Sequence, residues 1–251
     1  MRRTCLTVGF AIALAVPLAA QHPMGHGAPA RGMPAAHASA AAELRATLTR
    51  LLGEHLFLAS AATGAALGGR QEEFRAAAAA LDANSNDFIA AVGSIYGPDA
   101  QRAFDPLWKK HIGFVVDYTV GLATKDQAKQ QKAVNDLLAY TQEIGAFLNS
   151  ANPYLPKDAV ANLVREHVLT LKAVIDAQAA GDPARAYMEM RKAYAHMGTL
   201  AGALTDGIVR QFPQRFGGQR PATMPKRRGR TSMAPAPARV EVRGFSSGRS
   251  G

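Results

Sequence analysis

The sequence predicts an all-α protein of six helices, built as three repeated 56-residue antiparallel helical hairpins that pack as a bundle or a short superhelix. Three observations predict it. Alanine and leucine dominate the middle of the chain, while β-branched runs of period two are missing, so helix is favoured throughout. Shifting the chain by 56 residues superposes His55, His111 and His167 without gaps, together with Leu51, Leu107 and Leu163 four residues earlier. The same shift aligns Ala78/Val134/Met190, Leu81/Leu137/Ala193, Ser85/Thr141/Met197, Phe88/Ile144/Leu200 and Val92/Leu148/Leu204, whose spacing of 3, 4, 3, 4 marks one face of a helix.

Residues 1–20 read as a secretory signal peptide: Arg2-Arg3, an apolar run from Cys5 to Leu18, then Ala19-Ala20-Gln21. The run is too short for a stable membrane anchor, so the mature chain is expected to be periplasmic or secreted, with no transmembrane segment. Cys5 is the sole cysteine of the chain. The mature protein is therefore expected to have no disulfide, no thiolate ligand and no cysteine nucleophile. Residues 21–40 form a tail with a composition that predicts disorder, in which His22, Met24 and His26 lie close together and Met33 and His37 follow. Thioether suits Cu(I) and imidazole suits Cu(II), so this tail is a candidate for copper capture, or else a low-complexity linker.

Residues 41–213 make the helical domain. Within each copy a glycine or a polar pair turns the chain, at Gly69-Arg70, Lys125-Asp126 and Gly181-Asp182. Breaks at Tyr96-Gly97-Pro98 and Asn152-Pro153-Tyr154-Leu155-Pro156 separate one hairpin from the next. One hairpin cannot bury its own apolar face, so the three must pack together.

The net charge of +10 invites a nucleic-acid reading, but the position of the charges excludes a specific one. From Ala41 to Pro213 there are 17 Lys and Arg against 18 Asp and Glu, so the helical domain is nearly neutral. The excess lies mostly in residues 214–251, where nine basic residues face only Glu241. That tail contains Lys226-Arg227-Arg228-Gly229-Arg230, is rich in Pro, Gly and Ser, and is expected to be disordered. It either touches an anionic envelope polymer or lipid, or is a solvated tail with no partner.

The histidines carry what chemistry the domain offers. The first helix has an apolar stripe through Leu48, Leu51, Leu52, His55, Leu58 and Ala59, and the second copy repeats it through Phe104, Leu107, Trp108, His111, Phe114 and Val115. His55, His111 and His167 are thus expected to face inward. Counting from the third turn, His167 and His196 lie at equal height, about 21 Å from the turn at 1.5 Å per residue. The same level pairs His55 with Asn84 and His111 with Tyr140, and Asp117-Tyr118 is either a second means of orienting His111 or a helix-surface pair. Two readings follow. A buried imidazole hydrogen-bonded across its hairpin is a structural residue. Alternatively, three equivalent helices around a pseudo-threefold axis bring three imidazoles together to bind copper or zinc with a position left open. A narrower site uses His167 and His196 with Met197, which favours copper, or with Glu166, which favours zinc. Glu54-His55 and Glu166-His167 are neighbours about 100° apart on a helix, so both members of a pair cannot aim straight at one ion. No Walker loop, dinucleotide fingerprint, G-x-S-x-G or H-E-x-x-H motif is present, nor the paired Glu-x-x-His of dimetal carboxylate enzymes.

The strings LLGEHLFLA, LWKKHIGFVVDYTV, REHV, AYAHM and IVRQFPQRF resemble those of a group of secreted bacterial six-helix proteins sometimes labelled copper amine oxidase-like. The resemblance covers most of Ala41 to Phe216 and implies an exported six-helix unit with His55, His111, His167 and His196 as its positions of interest. It does not imply amine oxidation, which needs a cofactor-forming tyrosine in an Asn-Tyr-Asp/Glu setting on a large β domain. Neither occurs here. The function expected is an exported protein that binds or buffers a transition metal, copper first, and the alternative is a non-enzymatic helical interaction or envelope-associated module.

Overall fold

The computed structural model describes residues 39–216. Residues 1–20, read above as a signal peptide, lie outside the described residues, as do His22, Met24, His26 and nearly all of the basic tail. Six helices account for almost everything within them: α1 Ala40–Leu67, α2 Gln71–Tyr96, α3 Pro98–Ala123, α4 Gln127–Ala151, α5 Lys157–Ala179 and α6 Pro183–Gln211. No strand occurs among the described residues.

Each helix starts and stops where local chemistry requires it. Ser39 accepts from the Ala42 amide at the head of α1, Asp126 from Lys129 at α4, and Asp182 from Arg185 at α6, each satisfying a backbone donor that the first turn leaves free. Pro98 and Pro183 open α3 and α6, where a missing amide hydrogen costs nothing. The three turns within hairpins share one geometry. Gly69, Lys125 and Gly181 have φ of 68°, 57° and 68°, and the next amide, of Arg70, Asp126 or Asp182, donates back to Ala65, Gly121 or Ala177. This left-handed helix end satisfies the last carbonyls and reverses the chain in three residues. Glycine enters it freely, whereas Lys125 does so against a steric penalty.

The hairpins close on each other. Each helix packs on its neighbours in sequence, and α6 returns to pack on α1. That last contact makes the architecture a closed bundle rather than an open superhelix. In addition α1 packs on α3 and α5, and α3 on α5, so the three odd-numbered helices meet at the centre while α2, α4 and α6 flank them. The core is built from the helical stripes, with Leu51, Leu52, Leu56, Phe88, Phe104, Trp108, Val174, Met197 and Leu200 among its buried members. Each such side chain removed from water contributes about 1.5–3 kcal/mol before entropic costs. Gly145 permits the close approach of α4 to the start of α5: a Cβ there would lie 2.6 Å from the Lys157 carbonyl. Gln178 of α5 ties itself to α1, donating to the Ser60 carbonyl and hydroxyl at 3.0 Å and accepting from Thr63 at 2.9 Å.

Candidate functional site

Because α1, α3 and α5 meet along the centre and each carries a histidine at the same point of its apolar stripe, His55, His111 and His167 come together in the interior. Their exposures are 3%, 5% and 6%. The ring centroids of His55 lie 5.4 Å from His111 and 5.8 Å from His167, and the Nε2 atoms of His55 and His111 are 3.5 Å apart. Trp108 closes one side, its ring 4.9 Å from His55 and 4.7 Å from His111. Tyr140 stacks on His111 at 5.0 Å.

The polar accounting at this cluster is incomplete. His111 donates from Nδ1 to the Trp108 carbonyl within its own helix, which fixes its tautomer and leaves its Nε2 to accept from His55 Nε2 at 3.5 Å. The Nδ1 atoms of His55 and His167 and the Nε1 of Trp108 are buried with no hydrogen-bond partner. An unmet buried polar atom costs about 1–3 kcal/mol and is rare enough in a native core to require a reason. Burial also sets the charge state. Desolvation first, then repulsion from His111 and His167, holds His55 well below its ordinary value. Desolvation lowers His111 to about 4, against a smaller opposing effect of the Trp108 carbonyl. Desolvation followed by His111 and His196 lowers His167 to about 3. All three rings are therefore neutral at pH 7, the state in which imidazole ligates metal.

The cross-hairpin partners differ from those expected by counting. Asn84 does not meet the His55 ring: its Nδ2 donates to the Leu51 carbonyl at 3.1 Å and to Glu54 at 3.0 Å. His196 does not face His167 through a hydrogen bond but donates from Nε2 to the Leu163 carbonyl at 2.8 Å, at the same offset of 33 residues as the Asn84 bond. Equal height along two helices left the rotation about each axis open, and that rotation aims these side chains at the backbone one turn before the histidine. Tyr140 meets its histidine through its ring face.

Met197 is buried and lines the same cavity as His55, His111 and His167, so it stays with the cluster. Glu166 does not. It is exposed, because one residue from His167 is about 100° around the helix. Asp117 pairs with Lys129 at 3.1 Å, and Tyr118 donates to Asp176 at 2.5 Å, so neither orients His111. Trp108, read from sequence as core, is also a wall of the site; its place three residues before His111, on the same stripe, was the available signal.

Fold and site together define a closed six-helix bundle with a buried, neutral imidazole cluster where its inner helices meet. No family model, curated protein or solved structure matches this chain. Among the described residues no three His, Cys, Asp or Glu side chains already stand as a coordination set. The nearest approach to one is the pair His55 and His111. Two nitrogens each about 2.0–2.1 Å from one ion and about 120° apart are about 3.5 Å from each other, which is the separation this pair has.

Proposed function

We propose that this chain is an exported metal-binding protein that holds or buffers one transition-metal ion, copper, between His55, His111 and His167. The observation that carries the reading is the 3.5 Å separation of the His55 and His111 Nε2 atoms, with His111 held by a carbonyl at its other nitrogen. Metal-ligating histidines are oriented by such a bond to the second ring nitrogen. A small rotation of His167, or entry of the Met197 thioether, supplies the third ligand. Neutral imidazole with thioether favours copper, and Glu166, the carboxylate that would favour zinc, faces solvent. His22, Met24 and His26 support capture of the ion before it reaches the core. The Arg2-Arg3 leader and its apolar run support export, and the basic residues 214–251 support contact with an anionic envelope polymer or lipid.

The test uses the full chain with Cys5→Ser, His22→Ala, Met24→Ala, His26→Ala, Met33→Ala and His37→Ala, so that these N-terminal candidate ligands do not contribute. Cu(I) is titrated against a competing chelator, and Cu(II) is followed by emission of Trp108, the sole tryptophan. One equivalent retained per chain, with quenched emission, is expected. Adding His111→Ala should weaken binding by more than the about 10–100-fold that loss of a supporting partner costs, whereas His196→Ala should leave it nearly intact. A folded chain that retains no copper and no zinc would make the cluster structural and favour the interaction-module reading.

A further inference from the structure

The imidazole cluster is flanked by unfilled space. A cavity of about 70 Å³ lies on the side of Trp108, between Leu52, Phe88, Val92, Leu200 and Leu204, and reaches all three inner histidines. A second, of about 90 Å³, lies toward the turn end of α1, between Ala59, Ala62, Leu81, Ile112 and Leu171, and reaches His55 and His111. Interiors of native proteins pack tightly, and space of this size in contact with a cluster of ligand-type side chains is not a packing residue to be ignored.

The walls decide what such space accepts. In the second cavity the only polar side chains besides the two imidazoles are Thr63 and Thr119. Both hydroxyl protons are already committed, Thr63 to Ser60 and Gln178 and Thr119 to the Val115 carbonyl. A water needs two to four polar partners, and an apolar cavity that cannot supply them stays dry. The volumes set the size. An apolar cavity of about 150 Å³ takes benzene or xenon, so 70 and 90 Å³ are too small for an aromatic ring and suit two or three heavy atoms. The second cavity is bordered by the exposed Val116 and Val120, and a gap of about 20 Å³ between α3, α4 and α5 is lined by His111, His167, Lys172 and the exposed Leu169.

We propose that the cavities beside His55, His111 and His167 bind a small uncharged apolar molecule of diatomic size, the class of dioxygen, nitric oxide and carbon monoxide. The binding itself does not depend on a metal ion. If copper is held by the three imidazoles, the same molecule meets it at the open position, and that part of the inference rests on the metal reading.

The full chain, stripped of metal by chelator, is exposed to dissolved xenon and followed by 129Xe NMR. A saturable bound-xenon signal is expected. Ala62→Leu fills the second cavity and should remove that cavity's share of the signal, and Leu81→Ala enlarges it and should increase xenon uptake, with circular dichroism confirming that each variant is helical. Wild-type protein that takes up no xenon, or a signal that neither variant changes in the stated direction, would overturn the proposal. In a second arm, chain incubated with Cu(I) is exposed to carbon monoxide and its infrared stretch recorded. A copper-carbonyl band lost in His111→Ala extends the inference to the ion. Xenon uptake without copper retention sustains the cavity proposal and sinks the metal reading alone.

Discussion

The inner and outer helices of this bundle treat the same level of the structure in opposite ways. On α1, α3 and α5 the residue at that level is histidine each time, and two of the three rings are incompletely served: Nδ1 of His55 and of His167 have no partner, whereas both nitrogens of His111 are bonded. On α2, α4 and α6 the residue changes from Asn84 to Tyr140 to His196. Yet Asn84 and His196 make the same bond, to the carbonyl 33 residues earlier, although the Asn84 Oδ1 is left without a partner. At two of the three outer positions the side chain braces its neighbour's backbone, a task that any side chain with a suitably placed donor performs. The inner position keeps one side chain in three places while gaining little stability from its polar atoms. The cost of the two unmet Nδ1 atoms is what the metal reading proposed above would explain.

Acid provides the largest effect with which to test this contrast. The unfolded chain has histidines near the ordinary value of 6.5, whereas burial holds His111 at about 4 and His167 at about 3 in the fold. The unfolded state therefore binds protons first as pH falls. The stability of the metal-free protein should be fullest above pH 6.5 and fall as pH drops through about 4 and about 3, by up to about 1.4 kcal/mol per pH unit for each ring. Urea midpoints at pH 7, 5.5 and 4.5 measure it. A variant with His55→Leu, His111→Leu and His167→Leu should show a shallower loss; an equal slope would locate the acid sensitivity elsewhere.

Single substitutions at the two positions should differ in sign. Asn84→Ala removes a buried donor from the Leu51 carbonyl and should cost about 1–3 kcal/mol. His167→Leu replaces an unmet ring by an apolar side chain, and its metal-free stability should be unchanged or higher. Chemical denaturation at pH 7.5 decides, and an equal loss in both would mean that the inner histidines are as well satisfied as the outer residues.

The smallest effect sharpens the comparison among hairpins at their turns. Gly69 and Gly181 adopt the left-handed conformation without strain, and Lys125 adopts it with a β-carbon in the way. Lys125→Gly should stabilise by about 1 kcal/mol, and Gly181→Ala should destabilise by a similar amount. Thermal unfolding midpoints moving together, in either direction, would show that the turns are not equivalent.

Much of this was legible in the chain itself. The stripe through Leu51, His55 and Ala59 needed only the helical period, and Gly97-Pro98 and Gly181-Asp182 marked their helix ends because proline and glycine act through their own backbone. The same arithmetic placed Glu166 off the buried face and His196 level with His167, but it did not give the bond of His196 to the Leu163 carbonyl. Sequence spacing gives height along a helix and face to within a fraction of a turn, but the side chain that a residue meets depends on how two helices are rotated against each other.

By itself, then, the sequence determined six amphipathic helices, where they turn, and that three equivalent histidines lie on buried faces, because propensity, period and turn chemistry are local. Only the tertiary structure decided that α6 closes on α1, that α1, α3 and α5 meet and bring His55, His111 and His167 together while His196 bonds the Leu163 carbonyl, and that space remains beside them. Those outcomes follow from the simultaneous packing of six helices, in which no single helix's pattern fixes its rotation against the others.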